Sequence, residues 1–541
     1  MVFSKLIDDL ILETTSLSLP WFSAELCLSG TIVLMLLLRL LSVDRWVPAY
    51  LIGVLGAFAA LFCSWQQFAE LSQAPPASTE PLVTFTGLLV QDQFSVYFRA
   101  FLALFLLLTI ALTALTGIPD HEDGPDFYSL LFGATIGMMI MASANNLLML
   151  FIGVEMASVP SYAMVGFLKG RKASSEAALK YVVYGAGAAG VMIYGISLLA
   201  GVLGTGDMSL LSERLSLAAA GGSGGLADPE VRTAALAVML IMVGLAFKLS
   251  LVPFHFWCPD AFEGASAEVA GFLSVASKAG AFALLVRLCL ALSGGVGTEG
   301  LMLAFGIALG VVACVTATFG NLAAYNQSNL KRLLAYSTIA HAGYMLMAVS
   351  AMLVMQNSGR AADFAPEIDM SIEGLLYYLA VYLFMNLGAF AVVALARNYT
   401  FSEELDSFKG LIGQAPVLCI AMMICVFSLV GLPPFGGFFA KFMIFAAALK
   451  AGQAHWFMYV VVAFGGLNTV LSLFYYIRIL KTMFLDPRPE GARKVSLPLF
   501  SLEGSYVLAL SLFVLMLGIL PSITTGLSNT ARTAAQSIVQ K

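Results

Sequence analysis

Long apolar runs separated by short polar breaks recur from one end of the chain to the other. A helix needs roughly 20 apolar residues to cross a bilayer. By length and polar punctuation the chain holds about fourteen such runs. They cover 20–41, 47–67, 93–116, 127–144, 147–168, 174–204, 232–258, 266–294, 301–322, 330–354, 373–397, 413–447, 455–484 and 504–524. Connections are short apart from polar loops near 205–231, 355–372 and 485–503. No stretch between the runs is long enough for a soluble catalytic domain. The pattern predicts an all-α polytopic membrane protein with about fourteen transmembrane helices.

Composition sharpens this. Of 541 residues, 60% are hydrophobic and 11% charged, with a mean hydropathy of +0.91. A soluble domain carries about 25% charged residues, so too little polar surface is available to keep a globule in water. The formal charge of −5 contains no basic stripe of the kind that binds nucleic acid. Cys27, Cys63, Cys289, Cys314, Cys419 and Cys425 lie inside apolar runs and Cys258 near the end of one. None has the spacing of a zinc or iron–sulfur site, and they read as small packing residues. Asp8, Asp9 and Glu13 precede the first run, unlike the basic start of a cleaved signal peptide. With the N-terminus outside, fourteen of the 27 basic residues fall in cytoplasmic loops and helix ends, among them Lys169, Arg171, Lys172, Lys331, Arg332, Arg493 and Lys494. Seven, including Lys541, fall outside. That bias places both termini on the periplasmic side of an inner membrane.

An internal repeat is visible. Ser161-Tyr162-Ala163-Met164 resembles Gly343-Tyr344-Met345-Leu346 at an offset of 182 residues, and Pro253-Phe254 resembles Pro434-Phe435 at 181. Each pair puts a prolyl break two spans after a tyrosine-bearing helix. Units beginning near the fourth and ninth spans hold five helices each, and an odd number makes the repeats inverted. The expected organisation is three N-terminal helices over 1–117, a first repeat over 127–294, a second over 301–484, and a loop with a last helix over 485–541.

Six basic residues lie within spans: Arg99, Lys180, Lys248, Lys278, Arg287 and Lys441. A lysine at mid-helix costs about 2.5–3.5 kcal/mol on insertion scales, so four without partners would cost roughly 10–14 kcal/mol. They must face a polar interior. Burial penalises the ammonium form, so such a lysine can release and take up a proton where a guanidinium cannot. Lys248 precedes Pro253 in Phe-Lys-Leu-Ser-Leu-Val-Pro-Phe-His-Phe-Trp, and proline removes a helical hydrogen bond beside it. Pro433, Pro434, Gly436 and Gly437 repeat the device ahead of Lys441. Broken membrane helices survive where the freed backbone lines a cavity or is buried in protein. Lys278 and His341 lie at helical depth between the two breaks. His255 titrates near neutrality, or is held by hydrogen bonds at a helix end. Glu155 sits in an apolar run. Lys180 begins the next span and is either its ion-pair partner or a snorkelling surface residue. Arg99, Arg287 and Glu25 stand in apolar surroundings with no evident partner and read as structural. Gly185-Ala-Gly-Ala-Ala-Gly190, followed by Asp207, matches a dinucleotide fingerprint but lies inside an apolar helix, where small residues serve close packing.

Several of these segments together carry a resemblance: the run around Glu155, Ala-Leu-Lys-Tyr at Lys180, residues 247–260, and Leu-Lys-Arg-Leu-Leu-Ala-Tyr-Ser-Thr-Ile-Ala-His at 330–341. They resemble the antiporter-like membrane subunits of proton-pumping NADH:quinone oxidoreductase, respiratory complex I, over about 90–484. Within that family the chain is most similar to the N subunits, which carry a lysine where Lys441 stands. The resemblance implies two five-helix bundles, each with a broken helix, and a polar axis through the membrane centre. It implies a switching pair of Glu155 and Lys180, a central group Lys248, connecting groups Lys278 and His341, and a terminal group Lys441. It implies no redox chemistry in this chain: NADH, FMN, iron–sulfur clusters and quinone belong to other subunits. Expected partners are neighbouring M-like and K/J-like membrane subunits and lipid. The same lysines suit a subunit of a sodium/proton antiporter or of a membrane-bound hydrogenase-type complex.

Overall fold

A computed structural model describes residues 2–42, 45–73, 82–120, 123–220, 226, 228–490, 498 and 501–539. Arg493, Lys494 and Lys541, which entered the charge bias, lie outside the described residues, as do parts of the 205–231 and 485–503 loops. The helices in chain order are α1 (Val2–Glu13), α2 (Leu19–Trp21), α3 (Ser23–Leu40), α4 (Ala49–Gln73), α5 (Gln93–Thr116), α6 (Gly124–Ser143) and α7 (Leu147–Val165). Next come α8 (Lys172–Leu203), α9 (Leu211–Ala220), α10 (Pro229–Leu249), α11 (Trp257–Gly264), α12 (Ala267–Leu292), α13 (Glu299–Ala324) and α14 (Leu330–Gln356). The chain continues through α15 (Ala365–Thr400), α16 (Pro416–Val430), α17 (Gly436–Ala451), α18 (Phe457–Phe484), α19 (Leu502–Ile519) and α20 (Pro521–Val539).

Thirteen helices among the described residues are long and apolar enough to cross a membrane: α3 to α8, α10, α12 to α15, α18 and α19. This is a multi-pass membrane protein. Two expected spans are divided. The seventh ends at Leu249 and resumes as α11. The twelfth splits into α16 and α17, of 15 and 16 residues. The 205–231 loop holds α9. The all-α expectation needs one amendment, because β1 (Leu82–Thr84) and β2 (Leu89–Gln91) form an antiparallel hairpin ahead of α5. Polar Thr84 and Gln91 bond to each other within it, at 3.1 Å. The sequence there shows no run long enough to signal a strand. The last helix, α20, is not a span. Its buried residues Ala531, Ala534, Ala535 and Ile538 share one face, which packs on α15 and α5.

α12, α14 and α15 occupy the centre and are buried nearly all round, as helices apolar on every face should be. The outer helices turn Val33, Leu36, Phe58, Val183, Tyr194 and Phe474 outward. α6 packs on α7 and α12, α8 on α10 and α11, and further along the chain α13 packs on α14 and α18, α15 on α16 and α17.

The three ionisable residues without evident partners in the sequence are paired. Arg99 Nε donates to Glu25 Oε1 at 2.6 Å, with both side chains fully buried, and Arg99 also bonds Gln91 of the hairpin. Arg287 of α12 donates to both Asp92 oxygens, at 2.7 and 3.1 Å. Asp92 also caps α5 through the Ser95 amide at 2.8 Å. The partners lie 74 and 195 residues apart in the chain, a separation no local pattern reveals. Removing one member of a buried pair strands the other charge at about 3–5 kcal/mol, while replacing both by apolar residues is often near neutral. We therefore expect Arg99→Met to lower the melting temperature of the purified protein, and Glu25→Leu combined with Arg99→Met to recover most of the loss. Thermal melts of the single and double variants check this; equal melting temperatures would count against it.

Candidate functional site

Both helix breaks are stabilised by side chains that satisfy the freed backbone. α10 ends with Ser250 in the left-handed region at φ 59°. Across the gap Trp257 Nε1 donates to the Phe247 carbonyl at 2.8 Å, and the Val252 amide donates to Thr316 Oγ1 of α13 at 3.1 Å. α16 ends with Gly431 at φ 87°, which favours glycine. There the Gly437 amide donates to Ser428 Oγ at 3.0 Å. Gly437 is required by space as well, because a Cβ on it would overlap the Ser428 carbonyl oxygen.

The buried lysines gather at these breaks. Lys248 is fully buried and its Nζ donates to Ser158 Oγ of α7 at 3.0 Å. Ser158 lies one turn beyond Glu155, whose carboxylate interacts electrostatically with Lys248. Lys278, also fully buried, donates to Ser250 Oγ at 2.9 Å, and its Nζ stands 5.1 Å from the Trp257 ring centroid. At the second break Lys441 Nζ donates to the Val430 carbonyl at 2.9 Å and lies 4.4 Å from the centroid of Tyr344. Among the described residues no carboxylate lies within ion-pair distance of any of these three lysines.

His341 occupies the ground between. Its Nδ1 is 2.6 Å from the Tyr378 hydroxyl and its Nε2 is 3.3 Å from that of Tyr476. The Tyr382 ring lies 5.1 Å away, and Tyr382 donates to Thr338 at 3.1 Å. One turn along α15, Asn386 Nδ2 donates to Ser274 Oγ at 2.5 Å, one turn from Lys278 on α12. Polar groups thus run from Glu155 through Ser158, Lys248, Ser250, Lys278, Ser274, Asn386, Tyr382, His341 and Tyr344 to Lys441. The serines, Tyr382 and Asn386 were not among the expected site residues, and Tyr344 stood out only through the internal repeat. Asn386 alone, an amide within an apolar run, carried a usable signal.

Two expectations change. Glu155 and Lys180 do not form an ion pair here. Lys180 is half-exposed and bonds Glu176, one turn before it, and Asp260 of α11, each at 2.9 Å. Asp260 also pairs with Arg332 at 2.6 Å. α8 therefore aims Lys180 at the second limb of the broken helix rather than at α7. His255 is nearly buried, but its Nδ1 has no partner among the described residues. It lines a cavity of about 370 Å³ together with Lys180, Asp260, Arg332 and Tyr336, apart from Lys248. Among the described residues no group of three or more His, Cys, Asp or Glu side chains is placed to hold a metal ion.

The family model described as NADH:quinone oxidoreductase/Mrp antiporter, transmembrane, matches residues 144–469. NADH-quinone oxidoreductase subunit N of Anaeromyxobacter sp. is 37% identical over 479 residues, covering 86% of this chain and 87% of that protein. Subunit N 2 of Sorangium cellulosum is 38% identical over 509 residues, covering 93% and 95%. A chain of respiratory complex I from Thermus thermophilus superposes with a TM-score of 0.70 at 29% identity, covering 93% of this chain and 98% of that one. A chain of the Mrp complex from Dietzia sp. shares the fold, with a TM-score of 0.77 at 20% identity over 97% and 100%.

The second break yields a test of its own. Gly437→Val drives a side chain into the Ser428 carbonyl, so the start of α17 must move. A cost of about 3 kcal/mol is expected, at the upper end of core overpacking. Protease resistance and melting of the purified variant measure it, and an unchanged melt would show that the break tolerates a side chain there.

Proposed function

The chain belongs to the antiporter-like family of proton-translocating membrane subunits shared by NADH:quinone oxidoreductase and Mrp antiporters, and from that premise we propose that it is the N subunit of an NADH:quinone oxidoreductase. In this reading it moves protons while quinone is reduced elsewhere in the complex. Electrons, NADH, FMN, iron–sulfur clusters and quinone stay with other subunits. M-like and K/J-like membrane subunits flank it, and both termini face the periplasm. The observation that carries the reading is the line of buried polar groups through the middle of the protein, with a lysine at each helix break that has no ion-pair partner among the described residues.

The mechanism follows from what these groups can exchange. A charge change at Glu155 alters the field at Lys248, which is separated from it by one turn and a serine hydroxyl. A proton released from Lys248 reaches Lys278 past Ser250. From there it crosses to His341 through hydroxyls and water, and the imidazole passes it toward Lys441. Lys180, paired with Glu176 and Asp260, acts on Lys248 through α11 and its break. The five-helix units α6–α12 and α13–α18 act as inverted repeats, because each contains one broken helix and the same packing order. Pro253, Pro433, Pro434, Gly436 and Gly437 keep the two breaks open.

Identity of 37–38% across most of the chain to subunits N favours this reading over a sodium/proton antiporter subunit, for which the likeness described above is one of fold. Co-purification with iron–sulfur and quinone-reducing subunits separates the two. In the assembled complex, Lys248→Met and Lys441→Met are each expected to slow proton movement and coupled quinone reduction by tenfold or more, with assembly retained. Lys248→Arg should not rescue, since a guanidinium does not release its proton. Vesicle acidification and quinone-reduction rates provide the readout. Wild-type coupled rates in both methionine variants would overturn the relay.

A further inference from the structure

Buried polar atoms without a protein partner are rare in folded proteins. Six of those in this chain fall along one seam. They are both carboxylate oxygens of Glu268, Ser277 Oγ, Asn386 Oδ1, Arg397 Nη1 and Glu403 Oε1. Glu268, Ser274, Ser277 and Lys278 belong to α12; Asn386 and Arg397 belong to α15, which packs against it; Glu403 follows the end of α15. An acid in the first turn of a helix ordinarily complements the dipole from the protein surface. Glu268 is instead fully buried.

The mouth of the seam is polar and open. Arg171, Arg397, Asn398, Ser402 and Glu403 line a cavity of about 220 Å³. Just inside it Lys331, nearly buried, is held between Glu403 at 2.9 Å and the Ala265 carbonyl at 2.5 Å. Ala265 lies three residues before Glu268, whose charge is felt at Lys331 together with that of Arg397. From Glu268 to Lys278 is ten residues on one helix, about 15 Å. Gly271 lies on the way, and a Cβ there would stand 3.1 Å from Phe390 of α15. Beyond it come the Ser274–Asn386 bond and Ser277. A buried polar line of this kind offers water the two to four partners it needs.

We infer that the α12–α15 seam is a proton-entry path, in which Glu268 takes a proton from the polar vestibule and delivers it to Lys278. The inference rests on the proton-translocating reading above. The Glu268 carboxylate takes a proton from a hydronium ion in the vestibule, leaving neutral water, and becomes a neutral acid. The acid then gives that proton, through water held by Asn386 and Ser277, to the neutral Lys278 amine. Carboxylate and ammonium result, and the carboxylate is ready for the next proton. Lys331, which feels the Glu268 charge, draws the carboxylate back toward the vestibule, whose wall includes Arg397. Glu403 keeps Lys331 in place. The face concerned carries Arg171, Lys331 and Arg397, the face read as cytoplasmic.

Two measurements in the assembled complex, reconstituted in vesicles, test the path. Ser277→Cys places a thiol of nearly the same size midway along the seam. A small hydrophilic methanethiosulfonate reagent, added on the vestibule side and read on this chain by mass spectrometry, should modify it. Adding Gly271→Val, which fills the narrow point beside Phe390, should slow that modification at least tenfold. Glu268→Gln should slow proton translocation about tenfold, and Glu268→Asp should restore most of the rate. If the thiol of Ser277→Cys stays unmodified, or reacts only from the opposite face, the path is overturned, as it is by full translocation in Glu268→Gln. Lys248→Met in the same vesicles separates the two levels. If it blocks translocation while Glu268→Gln does not, the entry path alone falls; if neither has an effect, the relay itself falls.

Discussion

Removing an ammonium group from water costs several kcal/mol unless neighbouring groups replace its hydration, and Lys248, Lys278 and Lys441 are buried with no carboxylate among the described residues bonded to them. Among the described residues each makes one hydrogen bond, to Ser158, to Ser250 and to the Val430 carbonyl. Lys278 and Lys441 also face aromatic rings whose quadrupoles attract a cation. The helix breaks supply the contacts of Lys278 and the carbonyl that binds Lys441, while α7 and α14 supply Ser158 and Tyr344. Ser250 stands in the turn that replaces helix after Leu249, and the Val430 carbonyl is free because α16 stops there. A continuous helix would consume that carbonyl internally. Breaks and lysines are therefore one arrangement.

Counter-charge sorts the remaining basic residues. Arg99, Arg287, Lys180, Arg332 and Lys331 all contact carboxylates. A pair with a carboxylate holds both charges fixed and makes proton release expensive. Arg99–Glu25 and Arg287–Asp92 tie the N-terminal helices, the hairpin and α12 together and have no exchange to perform. Lys331 stands between these groups, bonded to Glu403 yet placed beside Glu268, whose oxygens have no partner among the described residues. That contrast within a few residues makes the N-terminal end of α12 unlike the other buried ion pairs.

Span positions, the two breaks and the lysines beside them were legible because each leaves a local mark: an apolar run, a proline, a charge where none belongs. What the sequence hid depends on side chains meeting across distant helices. The fate of Lys180 illustrates this. Proximity in sequence suggested Glu155, and α8 does pack on α7, but it packs on α11 as well, which presents Asp260 to Lys180. The hairpin at 82–91 was too short to register, and α20 carried no marked periodicity of large apolar residues, since its buried face is mostly alanine. Serine and tyrosine partners were invisible because those residues are ordinary in apolar helices and become informative only when a lysine or histidine is seen to touch them.

The partners also make the two breaks chemically unequal. A neutral lysine amine has a lone pair that needs a donor, and a hydroxyl can rotate to provide one, whereas a carbonyl cannot. Ser158 and Ser250 can therefore serve Lys248 and Lys278 in either protonation state. At Lys441 the Val430 carbonyl and the Tyr344 face both act as acceptors, so its neutral form must find a donor elsewhere. His341 has hydroxyls on both ring nitrogens and can be satisfied as either tautomer or as the cation. On the proposed relay, the first break and the histidine exchange protons with little rearrangement. Discharge at Lys441 then requires a water or a neighbouring group to arrive. A directional pathway needs such an asymmetry, and here it arises from one backbone carbonyl standing where the first break has a serine.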